Sequence, residues 1–385
     1  MESNKIIKKY LSGLKRKTTS FFNDTLFTKR RNEIFIHQFK KQPSLEYLLV
    51  PDFIADEIDI YYSERLLSAY HRAIKDYRNL ENDLWSANSK AQAKFFNLLK
   101  DNNPKKLAQY LCNMNKEDAT IGTVQGNYEY ERLIISASYR KFIATMAKDK
   151  LVCLAEAIGV LPIENPEQGY YGQNIYENSE TLFNAISAKI GYDITPPAID
   201  GGLLKLKVGN ALFNERDCNA IYTGYIIKDT KKICEIGGGS GRVCFWGSKF
   251  GIQDYTILDL PHINIIQGFY LLKSMKETVS LYGESDKQIK VLPCHHLPID
   301  KFDLVLNQDS FPEIGENTVI EYLNWIKKHS VEFLSINHES KPPYIGGNHI
   351  NVSELIEQVG GFNRVYRNLY WIRKGYTIER YHSII

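Results

Sequence analysis

The stretch Lys232-Ile-Cys-Glu-Ile-Gly-Gly-Gly-Ser-Gly-Arg242 decides how this chain is read. Lys232–Ile236 predicts a short buried strand, and Arg242–Phe250 predicts a helix that stops at Gly251. Glycines in a turn between strand and helix let the backbone approach a ligand closely and take positive φ values that other residues avoid. The next apolar run ends at Asp259, within Tyr255-Thr-Ile-Leu-Asp-Leu-Pro261. An acid at that position can accept hydrogen bonds from both hydroxyls of a ribose. Strand, glycine turn, helix, strand and acid, in that order, predict a parallel α/β sheet with a nucleoside site beyond its strand ends. The plainer alternative is a glycine-rich turn in an unrelated α/β protein.

The glycine spacing narrows the ligand. A dinucleotide fingerprint, G-x-G-x-x-G, needs a third glycine for tight packing beneath a pyrophosphate. Counted from Gly237 and Gly239 that position is Arg242, and counted from Gly239 and Gly241 it is Cys244. The chain instead fits E-x-G-x-G-x-G, and so resembles the first motif of class I methyltransferases that use S-adenosylmethionine (SAM). That resemblance implies a cofactor site made of Glu235, Gly237, Gly239, Gly241, Asp259 and Leu260. Glu235 would face the ammonium of the cofactor's amino-acid tail, directly or through water.

Composition is that of an ordinary soluble globular protein, with 43% hydrophobic and 24% charged residues in 385. No run of about 18 apolar residues is present, which excludes a spanning helix, and Met1-Glu-Ser-Asn-Lys-Ile-Ile-Lys-Lys9 is charged where a signal peptide needs its apolar segment. Six cysteines without metal-ligand spacing predict reduced thiols and a cytoplasmic location. The net charge of +3 is uneven: residues 1–45 hold a local +8, which leaves −5 for the rest. Such a basic, phenylalanine-bearing arm suits an anionic membrane, a glycan-assembly protein or other partner, or nucleic acid; a solvated terminus is the competing reading. The remainder lacks the clustered basic face of a nucleic-acid enzyme.

Three regions are expected: a basic arm over 1–60, a helical region over 61–165, and an α/β domain with its lead-in over 166–385. Helical periodicity starts near Tyr62, and further helices are predicted around Phe95, from Pro104, and over Arg132–Ile158. After Lys231, strands at 232–236, 255–258, 288–292, 302–306 and 332–336 alternate with helices, as a parallel sheet requires. Val352–Val359 reads as a helix capped by Gly360-Gly361, and Phe362–Trp371 with Tyr376–His382 as a closing hairpin.

Ligands of an open parallel sheet bind beyond the carboxyl ends of its strands. Polar residues gather there: Cys294-His295-His296, Asn307-Gln-Asp-Ser310 and Asn337-His-Glu339. Cys294, with His295 and His296, is a candidate for covering the adenine edge, a plain loop being the competing reading, and Asn307 is a further cofactor contact. His338 is the candidate general base, with Glu339 or Asp309 orienting it, because an imidazole can take a hydroxyl proton near neutral pH. Adjacent histidines share one metal poorly, and Asp309 with Glu313 offers no firm second ligand, so no metal is expected. Pro342–His349 reads as a lid or acceptor wall.

Glu164-Asn-Pro-Glu-Gln-Gly169, Glu235–Arg242, Leu258-Asp-Leu-Pro261, Leu306–Ser310 with Glu313, Leu334–Glu339 and Tyr370–Tyr376 together resemble a family of sugar O-methyltransferases. The resemblance implies a Rossmann-like class I domain with a C-terminal antiparallel strand. It also implies a SAM-dependent enzyme that methylates a sugar hydroxyl, free, nucleotide-linked or within a glycan, in surface-polysaccharide biosynthesis. Methylation of another small molecule or of a protein, and an inactive scaffold, are the rival readings.

Overall fold

The computed structural model describes residues 43–77, 84–124, 126–169, 171–339, 343–344, 347–348 and 350–384. The apolar runs after Lys231 lie side by side in one eight-stranded sheet. Its strands, in chain order, are β1 (Lys232–Ile236), β2 (Asp254–Asp259), β3 (Val279–Leu281), β4 (Ile289–Pro293), β5 (Phe302–Gln308), β6 (Ser330–His338), β7 (Phe362–Leu369) and β8 (Tyr376–Ser383). Across the sheet they run β7-β8-β6-β5-β1-β2-β4-β3. All pairs from β6 to β3 are parallel. β8 joins β6 antiparallel, and β7 closes the edge antiparallel to β8. This is the predicted Rossmann-like class: mostly parallel, with an antiparallel C-terminal hairpin. The short strand β3 is an addition, because three residues are too few to show a period.

Both faces of the sheet are covered, which is why its central strands read as unbroken apolar runs. Side chains alternate along a strand. Ile233, Ile257, Leu304 and Leu306 therefore pack on one side with Trp246, Ile266 and Phe269. Cys234, Ile236, Val305 and Phe333 pack on the other with Val319, Leu323, Ile326 and Ile356. The register sets Ile236 beside both Leu258 and Asn307. Three strand ends thus finish level, and the glycine turn after β1 faces the ends of β2 and β5.

The helical region is joined closely to this sheet. Helix Glu57–Ala73 lies on helix Pro261–Met275 where Gly268 leaves room, since a Cβ there would stand 2.5 Å from Leu66 Cδ2. Two predicted boundaries are corrected. Arg132–Ile158 is two helices, Asn127–Ile135 and Ala137–Ala157, because the Ser136 hydroxyl caps the second by accepting from Tyr139 N at 3.1 Å. Residues 43–60, expected in the arm, belong instead to the folded body. There Tyr47–Leu49 pairs with Leu204–Val208 in a small sheet, and Asp56 caps the helix that follows. The rest of the basic arm lies outside the described residues, as does most of Pro342–His349, of which Pro343–Tyr344 pairs with Gly347–Asn348. Among the described residues no helix is long and apolar enough to cross a membrane.

Candidate active site

The level ends of β1, β2 and β5 open onto a cavity of about 320 Å³. On one wall stand Glu235, the turn Gly237–Ser240, Asp259, Leu260 and Cys294; on the other stand Asp309, Glu313 and Arg373. Gly122 and Thr123 of the helical region, with Arg216 and Asn219 of helix Glu215–Ile227, complete the lining.

The glycine turn has the shape its sequence predicted. Gly237 has φ +76°, and a Cβ on it would lie 2.1 Å from Ser310 Oγ. Gly239 has φ +56° with nothing within 4 Å of where a Cβ would stand, so its backbone faces open space. Gly241, also at positive φ, begins helix Arg242–Lys249 and packs towards Leu271; it shapes the turn without lining the cavity.

Two buried carboxylates flank that turn. Glu235 is 2% exposed, and its Oε2 accepts from Tyr255 Oη at 3.0 Å. Burial pushes its carboxyl up to about 8, so the site favours a proton, or a cation in its place. Asp259 accepts from Leu260 N at 2.8 Å and from Gln267 Nε2 at 2.5 Å. Its burial outweighs these donors and pushes it up to about 7. Cys294 N donates to Asp259 O at 2.7 Å, which ties the end of β4 to that of β2. A turn open at Gly239, a carboxylate needing positive charge and a second acid beside it fit a nucleoside cofactor with an amino-acid tail.

Asn307 does not line the cavity. It is fully buried, donates to Ile236 O at 3.0 Å and accepts from Asn337 Nδ2 at 3.0 Å. Its amide braces β5 against β1, leaving no group for a ligand.

On the opposite wall Asp309 adopts φ +61°, fixed by its amide donating to Asn337 Oδ1 at 3.0 Å. Arg373 and the Tyr376 hydroxyl, the latter at 2.6 Å, both donate to its carboxylate. His338 sits against Tyr376, ring centroids 5.6 Å apart at 76°, and does not itself line the cavity. Glu339 is not placed to orient it. Arg367 of β7 takes both Glu339 oxygens, at 2.7 and 2.8 Å, and holds that carboxyl below its ordinary value. His295 and His296 contact Tyr77 and Tyr282 outside the cavity. Among the described residues no cluster of three or more His, Cys, Asp or Glu is arranged to hold a metal.

Sequence reasoning missed several residues of this site. Arg373 lies within Tyr370–Tyr376, a segment quoted above without a role. For Glu313 the sequence offers only a metal-ligand role. Arg216, Gly122 and Thr123 had no local signal. Arg242, used to reject a dinucleotide, spans two buried acids: Asp217 at 2.6 Å and Asp200 at 3.1 Å. Glu164 of the quoted motif accepts from the amides of Gly172, Gln173 and Asn174, and so organises a loop.

No family model matches this chain, and no curated protein matches it. Solved structures do resemble it. The pyocyanin biosynthetic protein PhzM gives a TM-score of 0.34 at 12% identity over 43% of this chain. The chain spans just over half, 56%, of PhzM's length. The glycopeptide N-methyltransferase MtfA complexed with sinefungin gives 0.34 at 12%, covering 43% of this chain and 85% of MtfA. Magnesium protoporphyrin IX methyltransferase (ChlM) from Synechocystis, with bound SAM, gives 0.33 at 10%, covering 43% and 76%.

Proposed function

We propose that this chain is a SAM-dependent O-methyltransferase whose acceptor is a sugar hydroxyl. The observation that carries the cofactor reading is the open glycine turn between two buried carboxylates whose pKa values are raised, Glu235 and Asp259. Glu235 would hold the ammonium, and Asp259 the ribose, at the cost of loosening its bond to Gln267. When bound, the cofactor supplies a methyl group on a positively charged sulfur. The protein has to align the acceptor oxygen and receive its proton. Asp309, held still by Arg373 and Tyr376, is suited to orienting an acceptor hydroxyl and to taking its proton as the methyl transfers. His338 packs against the ring of Tyr376, whose hydroxyl holds Asp309, and so bears on the cavity through that pair.

The sugar assignment rests on the ordered set of sequence motifs and on the hydrogen-bonding groups of the acceptor wall, Gln308, Asp309 and Thr318. Calorimetry with SAM tests the cofactor; no binding would favour an inactive scaffold. Incubation with methyl-labelled SAM and an array of nucleotide sugars and glycans tests the acceptor, and label appearing only in a protein or a non-sugar metabolite would overturn it. For the basic arm the proposed contact is an anionic membrane surface. Binding to phosphatidylserine vesicles should fall with salt and vanish when residues 1–42 are removed.

A further inference from the structure

We infer that Glu313 is the carboxylate that reads the sulfonium charge, and so distinguishes SAM from its neutral product S-adenosylhomocysteine (SAH); this rests on the cofactor reading above. Glu313 ends the single turn Phe311–Glu313 that follows β5. Phe311 is fully buried and stacks on Tyr322, while Glu313 N donates to Ser310 O at 3.0 Å. The turn is therefore rigid, and its last side chain lines the cavity.

The four cavity acids are not equivalent. Glu235 is bonded by Tyr255, Asp259 by Leu260 N and Gln267, and Asp309 by Arg373 and Tyr376. Glu313 has no hydrogen bond or ion pair to its carboxyl among the described residues. Four charged groups act on it. Asp309 at the end of β5 and Asp259 at the end of β2 oppose its ionisation, while Arg373 before β8 and Arg216 of helix Glu215–Ile227 favour it. Burial and the Asp309 charge prevail, and the carboxyl is pushed up to about 8.

A matching of charges follows. The cofactor brings two cationic centres, the ammonium and the sulfonium. Glu235 answers the first. Asp309 is already neutralised by Arg373, and Asp259 is committed to neutral donors. Glu313 is the carboxylate left for the second. SAH keeps the ammonium and ribose and lacks the sulfonium charge, so the SAM-to-SAH affinity ratio isolates that centre from the titrations of Glu235 and Asp259.

The test is calorimetric titration of SAM and of SAH into the full-length protein and its Glu313→Gln variant, at pH 6.5 and pH 8.5. Glu313 gains its charge as pH rises through about 8, and like the Coulomb attraction itself the ratio should grow with that charge. At pH 8.5 the parent ratio is expected to exceed that of Glu313→Gln by about 3- to 10-fold, and at pH 6.5 by no more than about twofold. Glu313→Asp, which keeps the charge but withdraws it by one methylene, should fall between them. Equal ratios in parent and Glu313→Gln at both pH values would overturn the inference while leaving the cofactor reading intact. An Asp variant at or above the parent would overturn it too. If neither ligand binds the parent, the cofactor reading itself fails, and the inference with it.

Discussion

Glu235→Gln should make the ligand-free protein more stable in base and a worse binder of SAM. The Glu235 carboxyl is pushed from 4.5 up to about 8. Below about pH 4.5 both the folded and unfolded forms hold the proton. Between 4.5 and 8 the unfolded chain releases it and the folded protein keeps it, so stability falls as pH rises through that window. At about 1.4 kcal/mol per pH unit the full loss is about 5 kcal/mol, an upper bound that relaxation and water entry bring to about 2–4 kcal/mol. Glutamine keeps the shape and can still accept from Tyr255, but it has no proton to lose. An unfolding entropy near 2.1 cal/mol/K per residue, over 385 residues, amounts to about 0.8 kcal/mol/K. The variant's Tm should therefore gain roughly 2–5 °C on the parent between pH 5 and pH 9, most of it before pH 8. SAM binding at pH 8.5 should weaken by about 1.5–3 kcal/mol, on the order of 10- to 150-fold, because a charged partner of the ammonium is gone. Differential scanning fluorimetry across pH and calorimetry with SAM read the two effects. Parallel melting profiles from pH 5 to pH 9 would refute the burial argument; unchanged affinity would refute the placement of the ammonium.

Gly237→Ala should cost about 2–4 kcal/mol in a denaturant titration, combining positive-φ strain with the clash against Ser310; a melt like the parent's would show that the turn yields. Arg242→Met should cost about 3–5 kcal/mol, because Asp200 and Asp217 are left buried without their cation, and that loss should be read by the same titration. Glu339→Gln should change stability by less than about 1 kcal/mol, since its pair with Arg367 is half-exposed, and should leave SAM affinity within about twofold. Chelation with EDTA should leave SAM binding and methyl transfer unchanged; loss restored by magnesium would make Asp309 and Glu313 metal ligands.

The glycine turn and the two acids beside it were legible because their signal is local. An apolar run, glycines at positions of positive φ and an acid ending the next strand occupy one βαβ unit, where sequence neighbours remain neighbours in space. The parallel sheet was legible for a related reason: strands buried on both faces cannot carry polar residues until they end, so polar residues marked the strand ends at Asp259, Asp309 and His338. Which of those polar residues reach the cavity was not legible. Asn307 and Asp309 are two positions apart, yet Asn307 is turned into the sheet to brace Ile236 while a left-handed backbone swings Asp309 towards Arg373 and Tyr376. Glu339 was drawn off by Arg367, a residue of a strand formed later in the chain. Gly122 and Thr123 come to the cavity only because the helical region packs onto the sheet, and Arg216 because helix Glu215–Ile227 does. Periodicity and turn chemistry, which act between neighbours along the chain, thus determined the sheet and its glycine turn. Pairing of charges and hydrogen bonds across long stretches of sequence leaves no period to read, and the tertiary structure alone decided which acids are spent and that Glu313, among the described residues, is left without a partner.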